Sequence, residues 1–214
     1  MQTQKKFSPE PSSDPERMLS LRMWGDAASD VLHEAFVDCG WGRLIFGQTF
    51  AAPSSLAAML GAEIEGERDI ILYAREPHVL LAEAPQLLFL DPSHTYRLDL
   101  LVPPPAARPV AVIAIRTARA DDADEINRLY LSRGMVPLRD GYVAGDARPD
   151  SVQLLVAESG EGGLAGVVMG IDHTRAFNDP DNGSSLWALA VDPQARAEQL
   201  AVSDFVRLAN HAAA

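Results

Sequence analysis

Four prolines in the eight residues Val102–Pro109 (VPPPAARP) limit what this chain can fold into more than any other stretch. Each proline fixes its φ and has no N–H to donate, so neither a helix interior nor a central strand can run through the segment. It reads as a stiff linker. It divides the chain into segments at 18–101 and 110–214, behind a polar leader at 1–17 that reads as disordered. The 214 residues suffice for one large domain or two small ones with a sizeable core.

The balance of 47% hydrophobic and 22% charged residues is that of a globular protein. A net charge of −12, spread along both segments, argues against nucleic acid or an anionic membrane as the main partner, because both need a basic footprint. Cys39 is the one cysteine, so an internal disulfide is excluded. The N-terminus has no apolar signal region, and no run approaches the roughly 18 apolar residues of a membrane span. A soluble, cytoplasmic protein is expected.

Residues 18–101 read as a small mixed α/β unit. Asp26 caps a helix running to Val37, with Val31, Leu32, Ala35 and Phe36 among its apolar positions, and Cys39-Gly40-Trp41-Gly42 stops it. Arg43–Phe50 reads as a strand and Leu56–Ile64 as a helix. Short β-type runs follow at 69–75, 78–82, 86–90 and 96–101, the pattern of a small antiparallel sheet.

Residues 110–214 are more informative. Ala111–Thr117 is β-rich, and Asp121 is placed to cap a helix carrying Ala123, Ile126, Leu129 and Tyr130 on one face. An irregular stretch follows at 132–150. Val152–Glu158 and Leu164–His173 read as a hairpin around a Gly-rich turn. A polar loop at 174–183 leads to a strand, Ser184–Val191, which Asp192-Pro193 ends. Helical spacing resumes from Ala195 to His211.

Three stretches in that order, IRTARADDADEINRLY (115–130), LLVAESGEGGLAGVVMG (154–170) and SSLWALAVDPQ (184–194), resemble the GNAT N-acetyltransferase superfamily. The resemblance covers about half the chain, residues 111–211. It implies an α+β fold with a mixed, mostly antiparallel sheet flanked by helices. Upstream, RMWGD at 22–26 and DCGWGRLIFGQTFA at 38–51 are similar to the acetyltransferase-like part of bacterial N-acetylglutaminylglutamine synthetases, which precedes an ATP-grasp ligase and serves osmolyte biosynthesis.

The resemblance implies transfer of acetyl from acetyl-CoA to an amine, of glutamine or a glutamine dipeptide. In that fold the fourth and fifth strands splay, and main-chain groups of the fourth hold the cofactor arm and polarise the acetyl carbonyl. Here Leu189, Ala190 and Val191 take that place. The pyrophosphate is expected at the next helix N-terminus, where Arg196 and Ala201 fit the family's motif. Gln199 replaces its central glycine, and Glu198 adds a negative charge. Residues 202–214 are too few for the family's fifth strand and last helix, so the sheet is expected to be incomplete and the chain alone catalytically impaired. The alternative is a non-catalytic docking or regulatory module, with a ligase domain or a second copy of the chain as partner.

Acetyl transfer needs a base for the ammonium. Asp172 and His173, ending the hairpin's return strand, are candidates; the competing reading is a solvated strand end. Arg133 and Arg139 in the acceptor-side stretch are candidates for a substrate carboxylate, since guanidinium binds it bidentately, against a reading as surface charge. Cys39 has no histidine fixed beside it and reads as a small buried hydrophobe rather than a nucleophile. The histidines, at 33, 78, 94, 173 and 211, show no HxxxH or HExxH spacing, so no metal is expected.

Overall fold

The structure, a computed structural model, describes residues 30–74, 76–92, 114–145, 147–159 and 162–194. The leader, the linker, the run at 96–101, the helical pattern from Ala195, and with it Arg196 and Ala201, lie outside the described residues.

Over the described residues the fold is α+β, with two sheets. The first holds β1 (Phe36–Asp38), β2 (Arg43–Phe46) and β3 (Ile70–Leu72) in the order β1-β2-β3. It is mixed rather than antiparallel: β1 pairs with β2 antiparallel, but β2 pairs with β3 parallel. The parallel step is made by a crossover containing α1 (Pro53–Leu60), where Pro53 occupies the first turn and needs no N–H partner. A second helix, α2 (Pro77–Glu83), starts on a proline in the same way. It replaces the β-run expected at 78–82, and 86–90 is turn and loop.

The helix expected to reach Val37 is also absent over its described part. Residues 30–35 are turns and irregular backbone, and Glu34 has φ +51°, which no right-handed helix accommodates. Ala35 instead serves the sheet region, its carbonyl accepting from the Phe46 N–H at 3.0 Å and its N–H donating to Thr49 Oγ1 at 2.9 Å. The Cys39–Gly42 turn reverses the chain between β1 and β2. Gly42 has φ +144°, and a Cβ there would stand 1.8 Å from the Arg68 carbonyl oxygen, so the turn admits no side chain at that point.

The second sheet holds β4 (Ala114–Thr117), β5 (Val152–Glu158), β6 (Leu164–Asp172) and β7 (Ser184–Val191), all antiparallel and in the order β4-β5-β6-β7. Between β4 and β5 lies α3 (Ala123–Ser132), whose buried Ile126, Leu129 and Tyr130 follow helical spacing. Its N-cap falls one residue later than expected, at Asp122, because a single 3-10 turn, Ala120–Asp122, precedes it, capped by the Asp122 carboxylate accepting from the Arg119 N–H at 2.7 Å. A short helix, α4 (His173–Phe177), follows β6 directly, where a polar loop is expected.

One apolar cluster joins the two segments. Val37, Cys39, Trp41, Leu44 and Phe46 from the first segment belong to it with Ile126, Tyr130, Leu154, Val167, Met169 and Phe177 from the second. Strand period explains how β2 serves two cores: Leu44 and Phe46 join this cluster, while Ile45 joins a smaller one with Phe50, Leu56 and Leu80 beneath α1 and α2. Polar ties reinforce the junction. Tyr142 donates its hydroxyl to the Asp38 carbonyl at 2.8 Å, and Leu32 N–H donates to the Phe177 carbonyl at 3.0 Å.

Cys39 is fully buried, and burial pushes its thiol up to about 12. A thiol held protonated is inert, because the thiolate is the reactive form. The native chain is therefore expected to resist a thiol-exchange reagent such as Ellman's, and to titrate one thiol only on unfolding in urea. Rapid reaction in the native state would contradict this burial.

Candidate functional site

The edge strand β7 collects the features of chemical interest. Among the described residues no strand lies beyond it. Its pairing with β6 runs Ile171 to Ser185, Gly170 to Leu186 and Met169 to Trp187, then resumes with Val167 to Ala190 and Gly166 to Val191. Two residues, Ala188 and Leu189, therefore oppose the single Val168. That is a β-bulge, and Ala188 at its centre has φ +47°. A non-glycine residue in this region costs about 1 kcal/mol or more. The bulge turns β7 locally and leaves main-chain groups of Ala188 and Leu189 out of one-to-one pairing with β6, on an edge that no described strand covers.

Leu189 is half-exposed, whereas Ala190 is buried against the common core. The Val191 carbonyl accepts from Arg133 Nε at 2.7 Å. Just beyond, the Asp192 carboxylate accepts from Arg128 Nη1 at 3.1 Å and from the Gln194 N–H at 2.8 Å. Two guanidinium groups, Arg128 from the middle of α3 and Arg133 from just beyond it, thus flank the end of β7. Arg139 stands elsewhere: it forms a bidentate pair with Asp38, and its guanidinium lies 5.4 Å from the Tyr142 ring centroid. It ties the two segments together, at a position where its fork is filled by the chain's own carboxylate.

At the other end of β7, Asp172 caps α4, its carboxylate accepting from the Arg175 N–H at 3.1 Å. His173 is buried, not solvated, at 3% exposure. Its ring meets Phe46 edge-on at 5.2 Å and Phe177 at 5.4 Å between centroids. Its Nε2 lies 2.8 Å from Ser185 Oγ, and its Nδ1 lies 3.6 Å from the Asp179 carboxylate. Trp187 donates its indole N–H to the same Ser185 Oγ at 2.7 Å. Burial pushes the Asp179 carboxyl up, but His173 and the N–H groups of Asp181 and Gly183 outweigh it and hold it below its ordinary value. Ser185, and the place of Asp179 beside His173, are missed by sequence reasoning: the oxygen-rich stretch 179–183 reads there as an exposed turn, whereas Asp179 is buried. The available signal is Asn178 and Asn182, residues tolerant of positive φ, which take φ +61° and +50° and fold the chain back on His173.

A second polar cluster lies at the start of α3. Arg116 pairs bidentately with Asp122 at 2.6 and 2.9 Å and with Glu158 at 2.6 Å. The Arg116 guanidinium, aided by the Arg119 N–H, holds the Asp122 carboxyl below its ordinary value against the cost of burial. At Asp38, burial pushes upward, and Arg139 with the Gly40 N–H outweighs it.

These three carboxylates have a common consequence. A folded pKa below the unfolded value of about 3.9 adds stability that is present above that value and lost as pH falls through the folded one. Thermal unfolding at fixed salt is expected to be insensitive to these groups near pH 6 and to weaken steeply below about pH 4. Arg116→Met is expected to flatten part of that acid limb. An unchanged limb in this variant would contradict the role given to the Arg116–Asp122 pair.

Comparison of the chain with protein-family models, with curated proteins and with solved structures finds no match. Among the described residues no group of three or more His, Cys, Asp or Glu side chains is placed to hold a metal ion, and no helix is long and apolar enough to cross a membrane.

Proposed function

We propose that the chain is a GNAT-like N-acetyltransferase module that holds acetyl-CoA along the outer edge of β7 and serves transfer of the acetyl group to an amine, of glutamine or a glutamine dipeptide. The bulge at Ala188–Leu189 carries this reading. It lies on the strand, and within two residues of the positions, where the family resemblance places the cofactor arm. The consecutive antiparallel order β4-β5-β6-β7, with α3 between its first two strands, is compatible with that fold.

The residues present suit an elongated anionic thioester. Eight residues of extended β7 span about 25 Å. At its far end Arg133 and Arg128 supply guanidinium groups suited to phosphate oxygens. In the middle, main-chain N–H groups at the bulge would donate to a carbonyl oxygen, an electrostatic role that needs no particular side chain. Exposed Leu186 and Leu189 offer apolar contact beside it. The bound thioester supplies the activated acetyl group. The acceptor's ammonium must lose a proton, and Asp172, paired across from Ser184, and His173, bonded to Ser185, are the candidate bases at the start of β7.

Calorimetric titration of the purified chain with acetyl-CoA tests the reading. Saturable binding that Arg133→Ala weakens about tenfold supports it. No heat and no displacement of a CoA probe would favour the docking module, in which the β7 edge meets a protein instead.

A further inference from the structure

We propose that Ser185 is a nucleophilic serine, activated by His173 and Asp179, that accepts acyl groups from small uncharged carboxylic esters. The inference shares His173 with the acetyl-CoA reading but does not rest on it, because it needs neither the bulge nor a bound thioester.

The hydrogen positions follow from the partners. An indole N–H is only a donor, so Ser185 Oγ accepts from Trp187 at 2.7 Å. Asp179 is a carboxylate facing His173 Nδ1 at 3.6 Å, and two backbone N–H groups, those of Asp181 and Gly183, already fix it at 3.1 and 3.0 Å. The imidazole proton therefore sits on Nδ1, toward Asp179, and Nε2 is left as an acceptor. The Ser185 hydroxyl then donates to Nε2 across 2.8 Å. That is the arrangement a general base needs to take a serine proton.

The ring is fixed for this task. Phe46 and Phe177 hold it on its faces and edge, and its own backbone N–H donates to the Gly183 carbonyl at 3.0 Å. Gly183 is required by the close approach: a Cβ there would stand 2.7 Å from the Asp179 carboxylate and 3.1 Å from His173 Nδ1. The separation of 3.6 Å is longer than a hydrogen bond while the ring is neutral, and it shortens when the ring gains a proton and an ion pair forms. His173 and Asp179 are buried, whereas Ser185 is only partly so and lies on the edge strand β7. Asp172 is paired across from the neighbouring Ser184 and Asp179 lies beyond His173, which disfavours an anionic acyl group.

The chemistry balances with water as the only co-reactant. Ser185 Oγ forms a bond to the ester carbonyl carbon as its proton passes to His173 Nε2. The bond to the leaving alkoxide breaks, and His173 returns the proton to it, releasing the alcohol. Water then attacks the acyl-serine with its proton going to Nε2, and the carboxylic acid leaves as Ser185 recovers its hydrogen.

An alkyl fluorophosphonate, which phosphonylates serines activated in this way, is the direct probe. Mass spectrometry of the full chain is expected to show one adduct, mapped to Ser185 and absent from Ser185→Ala. His173→Gln is expected to slow labelling at least a hundredfold. Because His173 is packed in the core, Asp179→Asn is the second variant; it keeps the shape, loses the charge, and is expected to slow labelling at least tenfold with its melting transition retained. No adduct at Ser185 under conditions that label a control serine hydrolase would overturn the proposal. So would equal labelling rates in the wild type and in folded Asp179→Asn.

Discussion

Deleting Ala188 is expected to abolish acetyl-CoA binding, by a hundredfold or more in Kd, while leaving the sheet folded. The deletion brings Leu189 opposite Val168 and restores one-to-one pairing between Trp187–Met169 and Ala190–Val167. It also removes a residue held at φ +47°, so backbone strain is relieved rather than introduced. Buried contacts from Trp187 and Ala190 keep their partners, because the register on either side is unchanged. What disappears is the local turn of β7 and the main-chain groups that it turns out of the ladder. Ala188→Gly is the matching control: glycine takes positive φ without cost, so this variant is expected to bind normally and to be as stable or slightly more so. Calorimetric titration of the three chains, beside their thermal melts, checks the set. Binding by the deletion equal to that of the wild type would remove the bulge from the site.

Phe46→Ala is expected to destabilise the chain by roughly 3–5 kcal/mol, the cost of truncating a fully buried aromatic residue. Phe46 lies at the seam of the molecule. Its ring meets Phe177 at 4.5 Å and His173 at 5.2 Å between centroids, so it joins β2 of the first segment to α4 of the second. The cavity would open beneath His173 and free its ring to turn. Two readouts are therefore expected to move together, the urea midpoint and the rate at which Ser185 is phosphonylated. Ile45→Ala makes the contrast, since that side chain belongs to the other cluster, under α1 and α2. It is expected to lower stability without changing the Ser185 rate in the folded protein. Equal effects of both variants on that rate would show that Phe46 acts only through global stability.

The parts of the fold dominated by local rules are legible in the sequence. Val152–Glu158 and Ser184–Val191 are strands with the bounds expected, because long β-rich runs flanked by Asp, Pro and Gly leave few alternatives. Other elements depend on distant partners. The run at 78–82 is rich in Val and Leu and reads as β, yet Pro77 opens a helix whose Leu80 packs beneath Ile45. Residues 30–35 have helical spacing but meet Thr49 and Phe177 through their backbone, and those contacts win over local propensity.

The candidate site divides the same way. His173 is visible as a titratable residue at a strand end, but nothing local announces its burial. Asp179 and Ser185 reach it only because α4 and the turns at Asn178 and Asn182 fold the chain back within twelve residues. Arg133 and Arg139 look alike in sequence, and tertiary placement separates them, one at the end of β7 and the other on Asp38. The bulge has no sequence signal, since alanine is not a residue that positive φ selects.

Amide hydrogen exchange along β7, followed with and without saturating acetyl-CoA, tests the central claim most directly. The edge strand is expected to gain protection at Ala188–Val191, with the Cys39–Gly42 turn unchanged as the internal reference. Protection confined to other parts of the chain, or none on β7 while acetyl-CoA is demonstrably bound, would contradict the account.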